Sequence, residues 1–326
     1  MKALVTGATG FTGGHLARHL RRKGDTVRAI VRDPARARDL AADDIEVVTG
    51  DLQDAASLER AMAGVDVVYN IAALYREAAL PATAYRLVNA DAVATIVRTA
   101  RAAGVSRVVH CSTVGVHGDI AHPPANEDAP LSPGDVYQET KVLGETLARA
   151  AAVETGMPLV IARPTGIYGP GDRRLFKLFG EIARGRFVML GSGRNFYHLT
   201  FIDDLCAGFR LCGTVPAAAG QTYILGGAEV PTLADIVRVT AELAGVRGPR
   251  LRLPVWPVWL AGAACEAVCR PLGIEPPLYR RRVDFFRKSR AFDISRARRD
   301  LGFAPEVPIR EGIRRTLEWY REHRWI

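Results

Sequence analysis

The chain has 326 residues, of which 48% are hydrophobic and 24% charged, and it carries a formal charge of +9 at neutral pH. That mixture excludes a disordered or fibrous protein, and the length suits one large α/β unit or a main domain with a smaller partner. The five cysteines, Cys111, Cys206, Cys212, Cys265 and Cys269, are scattered without a CxxC pair, so neither a disulfide framework nor a metal site is expected.

MKALVTG runs straight into an apolar, β-branched stretch, so no secretory leader is expected and a cytoplasmic location fits. Apolar runs over 3–6, 26–31, 45–48, 65–71, 107–112 and 159–162 predict buried strands. Helical spacing over 15–23, 55–62, 92–102 and 137–155 separates them. Such a βαβα series implies a doubly wound parallel sheet covered on both faces.

After Arg163-Pro164 the pattern loosens into turns such as Gly169-Pro170-Gly171-Asp172, and a smaller mixed C-terminal region is expected from there. The most apolar stretch, VWPVWLAGAACEAV over 255–268, is short for a membrane span and interrupted by Pro257 and Glu266. It reads as a packed helix, with interfacial membrane contact as the alternative. Cys265 and Cys269 share one face of it and read as small core residues. Between Arg280 and Arg299 nine basic residues face only Asp284 and Asp293. This stripe reads as a solvated helical face, with an anionic ligand as the alternative. Nucleic acid is not expected, because no aromatic stacking motif accompanies it.

Gly7, Gly10 and Gly13 follow the first strand and precede the first helix. In a βα unit the first glycine permits the tight turn, the second admits a diphosphate to the backbone, and the third lets helix and strand approach closely. The anion then sits at the positive end of the helix. A nicotinamide dinucleotide is the expected ligand, held by Gly7, Thr9, Gly10, Phe11, Thr12 and Gly13. The second strand ends Ala29-Ile30-Val31-Arg32-Asp33, with Val31 where an acid would select NAD and Arg32 next to it. An arginine there favours the 2′-phosphate of NADP, while Asp33 keeps NAD as the alternative.

Tyr137 and Lys141 lie four apart at the start of a helix, so both project from one face. An ammonium beside a phenol stabilises the phenolate, which lets Tyr137 exchange protons near neutral pH. The run VVHCSTVGVHG (108–118) brings Ser112 and Thr113 to the end of a predicted parallel strand, where ligands of open α/β sheets bind.

The glycine loop, Ser112-Thr113 and Tyr137-x-x-x-Lys141, in this order and spacing, resemble the extended branch of the short-chain dehydrogenase/reductase superfamily, over nearly the whole chain. Asp51-Leu52, Asn70-Ile71-Ala72-Ala73, Arg163-Pro164-Thr165-Gly166-Ile167-Tyr168-Gly169-Pro170-Gly171 and Phe201-Ile202-Asp203-Asp204 are further matches. The resemblance implies a Rossmann-type domain over 1–165 that also uses about 199–215, and a mainly substrate-binding region over 166–326. It implies that Asp51 and Leu52 hold the adenine, and that Asn70 to Ala73, Pro164 and Ile167 lie beside the cofactor. Lys141 would bind the nicotinamide ribose, and Thr113, with Ser112 as neighbour, would be the catalytic hydroxyl. Thr165, His198, Arg281 and Arg282 would face a small-molecule substrate. Members of this branch are often dimers, which implies a homodimer.

Dehydratases of the branch carry an acidic pair after the catalytic threonine, where Val114 and Gly115 stand here, so elimination is not expected. VRAIVRDP (27–34) looks like dihydroflavonol-type reductases, and GSGRNFYHLTFIDDL (191–205) resembles 3β-hydroxysteroid dehydrogenases. The expectation is therefore an NADP-preferring oxidoreductase of a secondary alcohol or ketone. A nucleotide-sugar 4-epimerase is the alternative, with Arg281 and Arg282 as its diphosphate clamp. A non-catalytic NADP(H) sensor is the alternative of another class, disfavoured because a sensor does not need the Thr113, Tyr137 and Lys141 set.

Overall fold

The computed structural model describes residues 1–75, 80–249, 251–269, 271 and 283–326. Seven strands form its main sheet: β1 (Lys2–Thr6), β2 (Thr26–Val31), β3 (Glu46–Thr49), β4 (Val67–Asn70), β5 (Arg107–Cys111), β6 (Leu159–Pro164) and a late strand, Thr222–Leu225. From one edge the late strand comes first, followed by β6, β5, β4, β1, β2 and β3, and every pairing is parallel. The order reverses between β1 and β4. That switch point is where the C-terminal strand ends of a doubly wound sheet open a crevice for a ligand.

Near-continuous apolar strands require cover on both faces. On one face lie α1 (Phe11–Arg22) and the helix Ile202–Thr214; their side chains, with Val109 and Ala162, belong to one core cluster. On the other, α2 (Ala55–Met62), α3 (Ala92–Ala102) and α4 (Val136–Thr155) pack with Val108, Ile161 and Val68. The sheet therefore draws on the chain well beyond residue 165. Thr222–Leu225 adds its seventh strand, a non-local pairing that four residues after a loop did not announce.

Two small parallel pairs extend from the main sheet, Gly166–Tyr168 with Leu199–Phe201 and Met189–Leu190 with Arg252–Leu253. A third apolar cluster joins Ile182, Met189, Leu233, Val237 and Ala241 beside them.

The expectation of a packed helix over 255–268 is corrected. Val255–Cys269 is helical, but only Gly262 and Glu266 are buried on it, and Trp256, Leu260 and Val268 are exposed. Its apolar side chains point all round, so one core-facing stripe cannot cover them. Cys265 and Cys269 are accordingly half-buried thiols rather than core residues. Among the described residues no helix is long and apolar enough to cross a membrane, and no group of three or more metal-ligating side chains occurs.

Candidate active site

The glycine loop does more than turn a corner. Gly7 has φ +68°, and a Cβ there would lie 2.8 Å from the Ala72 backbone; one on Gly13 would lie 2.3 Å from the Gly7 carbonyl oxygen. Strand, loop and helix thus approach as closely as backbone allows, which excludes any side chain at either position. Gly10 caps α1 without a side-chain hydrogen bond, leaving the first-turn amides as donors at the positive end of the helix. Thr9 is exposed, and Phe11 and Thr12 half-buried, at the rim of this turn.

At the end of β2, Asp33 is exposed. Its carboxylate caps the turn Pro34–Ala37 by accepting the Ala35 amide at 2.9 Å, while Arg32 is exposed beside it. Asp51 accepts the Gln53 amide at 2.9 Å, and Ser57 Oγ receives the Asp51 amide at 3.0 Å, which fixes the loop after β3. Leu52 packs against the core cluster of the α2 face.

Ser112 and Thr113 part company. Thr113 is half-buried and its Oγ1 accepts the Gly115 amide at 3.0 Å, capping the turn Val114–His117. Ser112 is buried, and its hydroxyl donates to Glu145 Oε1 at 2.5 Å. Ser112, expected beside Thr113 at the site, thus turns its hydroxyl toward α4. Its only proton is committed behind the site.

α4 begins where Asp135 accepts the Gln138 amide at 2.8 Å and ends at Gly156 in the left-handed conformation. One turn apart on it, Tyr137 is half-buried and stacks edge-on against Tyr75 at 4.8 Å, whereas Lys141 is fully buried. The Lys141 ammonium position donates to the Cys111 carbonyl at 2.7 Å and lies 3.4 Å from His110 Nε2. Burial holds the Lys141 pKa below the ordinary lysine value, against the opposing influence of Cys111 and Glu145.

One further turn along α4, Glu145 pairs with Arg163 from the end of β6 through bonds of 2.9 and 2.6 Å. Burial pushes this carboxyl up, but the Arg163 bonds and charge and the Ser112 hydroxyl outweigh it, and the net shift is down. Arg163 also donates to His117 Nε2 at 3.2 Å and to the Glu127 carbonyl at 2.9 Å. His117, in the place of a tyrosine in the family pattern, is therefore a buried acceptor for Arg163, and its Nδ1–H faces the Pro130 carbonyl at 3.2 Å.

The expected substrate residues divide. Thr165 and His198 are brought together around Gly226, where an added Cβ would lie 2.7 Å from the His198 ring and 3.0 Å from Thr165 Cγ2. Both are buried, and His198 Nε2–H donates to the Gly227 carbonyl at 2.8 Å. Both side chains stand at the end of the late strand, and Thr165 Oγ1 is buried there without a hydrogen-bond partner among the described residues. Pro164 closes β6 in the core, and Ile167 is half-buried in the adjoining small pair. Arg281 and Arg282 lie outside the described residues. Farther along the basic stripe, Lys288 pairs with Asp119 and with Asp284, and Arg296 with Asp128.

Sequence reasoning missed Arg174, whose guanidinium lies 5.6 Å from the Phe11 ring and 5.7 Å from that of Tyr75, bridging the rim of the crevice. It also missed Asn89, which both donates to and accepts from the Leu74 backbone and donates to Thr140 Oγ1 at 3.2 Å. Neither lay in a motif. Glu145 was findable, since it continues the i, i+4 row of Tyr137 and Lys141.

A nucleotide-binding sheet with a tyrosine–lysine pair whose lysine meets the end of β5 defines a class of enzymes. Residues 3–226 match the family model described as the NAD dependent epimerase/dehydratase family, and the chain belongs to that family, the extended short-chain dehydrogenase/reductases. It is 32% identical over 330 residues to 2-alkyl-3-oxoalkanoate reductase of Stenotrophomonas maltophilia, covering 97% of this chain and 98% of the relative. To 3 beta-hydroxysteroid dehydrogenase/Delta 5→4-isomerase of Mycobacterium tuberculosis it is 30% identical over 336 residues, covering 98% and 90%. The crystal structure of gox2253 superposes with a TM-score of 0.84 at 29% identity, covering 98% of both chains.

Proposed function

We propose that this enzyme is an NADP-preferring oxidoreductase acting at a secondary alcohol or ketone carbon. The observation that carries the reading is the Tyr137–Lys141 pair on α4, set beside the turn capped by Thr113. Two of the relatives support it, since their names describe a reductase of 3-oxo compounds and a dehydrogenase of 3-hydroxy compounds.

The residues present suit a dinucleotide. The uncapped first turn of α1 offers amide donors to a diphosphate, and the absent Cβ atoms of Gly7 and Gly13 keep the backbone close. Asp33 caps its own turn through Oδ1, and exposed Arg32 beside it at the end of β2 is the side chain for a 2′-phosphate. The nicotinamide, when bound, supplies or accepts the hydride. Tyr137 passes the proton of the substrate oxygen, Thr113 donates a hydrogen bond to the developing oxyanion, and Lys141 holds the ribose and favours the phenolate of Tyr137.

Val114, buried after Thr113, and Gly115 offer no acid for eliminating water. Calorimetric titration with NADP, NAD and a UDP-sugar tests the reading. Tight NADP binding with no sugar-nucleotide signal supports it, and tight NAD together with a UDP-sugar response makes the chain a 4-epimerase instead.

A further inference from the structure

Thr6, Asn70 and His110 occupy one rung of the central sheet. Thr6 of β1 is in register with Asn70 of β4, and Asn70 with His110 of β5. All three are buried at the C-terminal strand ends, and His110 reaches Lys141. A histidine inside an apolar strand needs partners for both ring nitrogens, and their identity fixes where its proton sits.

The hydrogens along the rung can be counted. Thr6 Oγ1 accepts the amides of Ile71 and Ala72, each at 3.0 Å, so its acceptor capacity is filled. Its single proton goes to Asn70 Oδ1 at 2.9 Å. That orients the amide, because the reverse flip would set Nδ2–H against a hydroxyl oxygen already accepting two bonds. Asn70 Nδ2 therefore donates to His110 Nδ1 at 3.1 Å, and the ring proton resides on Nε2. Nε2 faces Lys141 Nζ at 3.4 Å.

An ammonium has three donors and no acceptor, so it would confront that N–H donor to donor. A neutral amine would accept it with its lone pair and still donate to the Cys111 carbonyl. We propose that His110 is a positioning residue for the Tyr137–Lys141 pair: the Thr6–Asn70 lock makes it the Nε2–H tautomer, and it holds Lys141 as the neutral amine when no cofactor is bound.

The charges around Lys141 agree. From β5, the Cys111 thiol is pushed up to about 11 by burial and stays uncharged. From its own helix, Glu145 is occupied by Arg163 and Ser112, and Tyr137 stands one turn before. Burial drives His110 well below the ordinary histidine range, so the ring does not become an imidazolium at neutral pH. The inference rests on the proposed function in one respect. If Lys141 holds the ribose as a cation, cofactor binding takes up a proton at this site.

The test is nuclear magnetic resonance of the cofactor-free protein, labelled at its seven histidines and five lysines. Long-range nitrogen–proton correlations are expected to show His110 as the neutral Nε2–H tautomer at neutral pH. The Nδ1–H tautomer or an imidazolium would overturn the proposal. In His110→Asn the amide keeps contact with Asn70 and removes the donor to Lys141, so the Lys141 titration midpoint should rise by about one pH unit or more; an unmoved midpoint would also overturn it. The wild-type spectrum decides the tautomer even where the variant fails to fold. Failure of NADP to bind would sink the oxidoreductase reading and leave the tautomer result standing.

Discussion

Glu145 and Arg163 meet in a two-bonded ion pair behind the ends of the central strands, with both side chains 4% exposed. Each carries a second duty, since Glu145 accepts the Ser112 hydroxyl and Arg163 holds His117 and the Glu127 carbonyl. Removing one partner leaves an uncompensated buried charge, whereas removing both does not. Arg163→Met should destabilise the fold by about 3–5 kcal/mol in urea unfolding. The double variant Glu145→Gln/Arg163→Met should lose clearly less than the two single losses combined; strict additivity would show that the pair is not coupled.

At the end of β2, Arg32→Ala should weaken NADP binding by about 10-fold or more, the worth of a charge-assisted hydrogen bond, and leave NAD within a few-fold of its original affinity. Titration of both dinucleotides against wild type and variant measures this. Equal losses would show that Arg32 does not read the 2′-phosphate.

Acid should unfold the protein earlier than its ion pairs alone suggest. Burial lowers the pKa of His110, His15, His19, His117 and His198 from the ordinary value of 6.5. Below that value the unfolded chain binds protons that the folded chain refuses, so stability falls as pH drops through it. His110, fully enclosed, contributes a slope of about 1.4 kcal/mol per pH unit while only its unfolded form is protonated. Glu127 and Asp204, raised by burial, oppose the trend at lower pH. Thermal melts between about pH 7.5 and 5.5 should show a falling midpoint. A flat or rising one would mean that these rings accept protons in place.

Tyr137→Phe keeps the ring against Tyr75 and removes the proton carrier. Turnover should fall by about 100-fold to 10,000-fold, while NADP affinity changes little. Thr113→Val removes the oxyanion donor and should lower kcat with little change in KM. A Tyr137→Phe enzyme with near-normal turnover would take the phenol out of the relay.

Much of this was legible because parallel strands announce themselves. The run TVRAIV is strand β2 from end to end, and the helices over 55–62 and 92–102 fall on the predicted residues. Lys141 and Tyr137 were found because a helix turns spacing into direction. For Ser112 the corresponding argument is strand alternation. Val108 packs on the α4 side of the sheet and Val109 on the other, and alternation carries His110 and Ser112 to the α4 side. The exposed helix Val255–Cys269 could not be read, because hydrophobicity without a stripe says nothing of which face is covered. His198 Nε2 meets the backbone of Gly227, a contact made across distant segments that spacing does not announce.

The most direct measurement is hydride transfer itself: consumption of NADPH and of NADH by the purified enzyme with 2-alkyl-3-oxo acids and 3-oxosteroids, with UDP-sugars as controls. NADPH oxidised faster than NADH, with the matching secondary alcohol formed and the UDP-sugars unchanged, is the predicted result. Interconversion of UDP-sugars with bound NAD, and no ketone reduced with either cofactor, would contradict it.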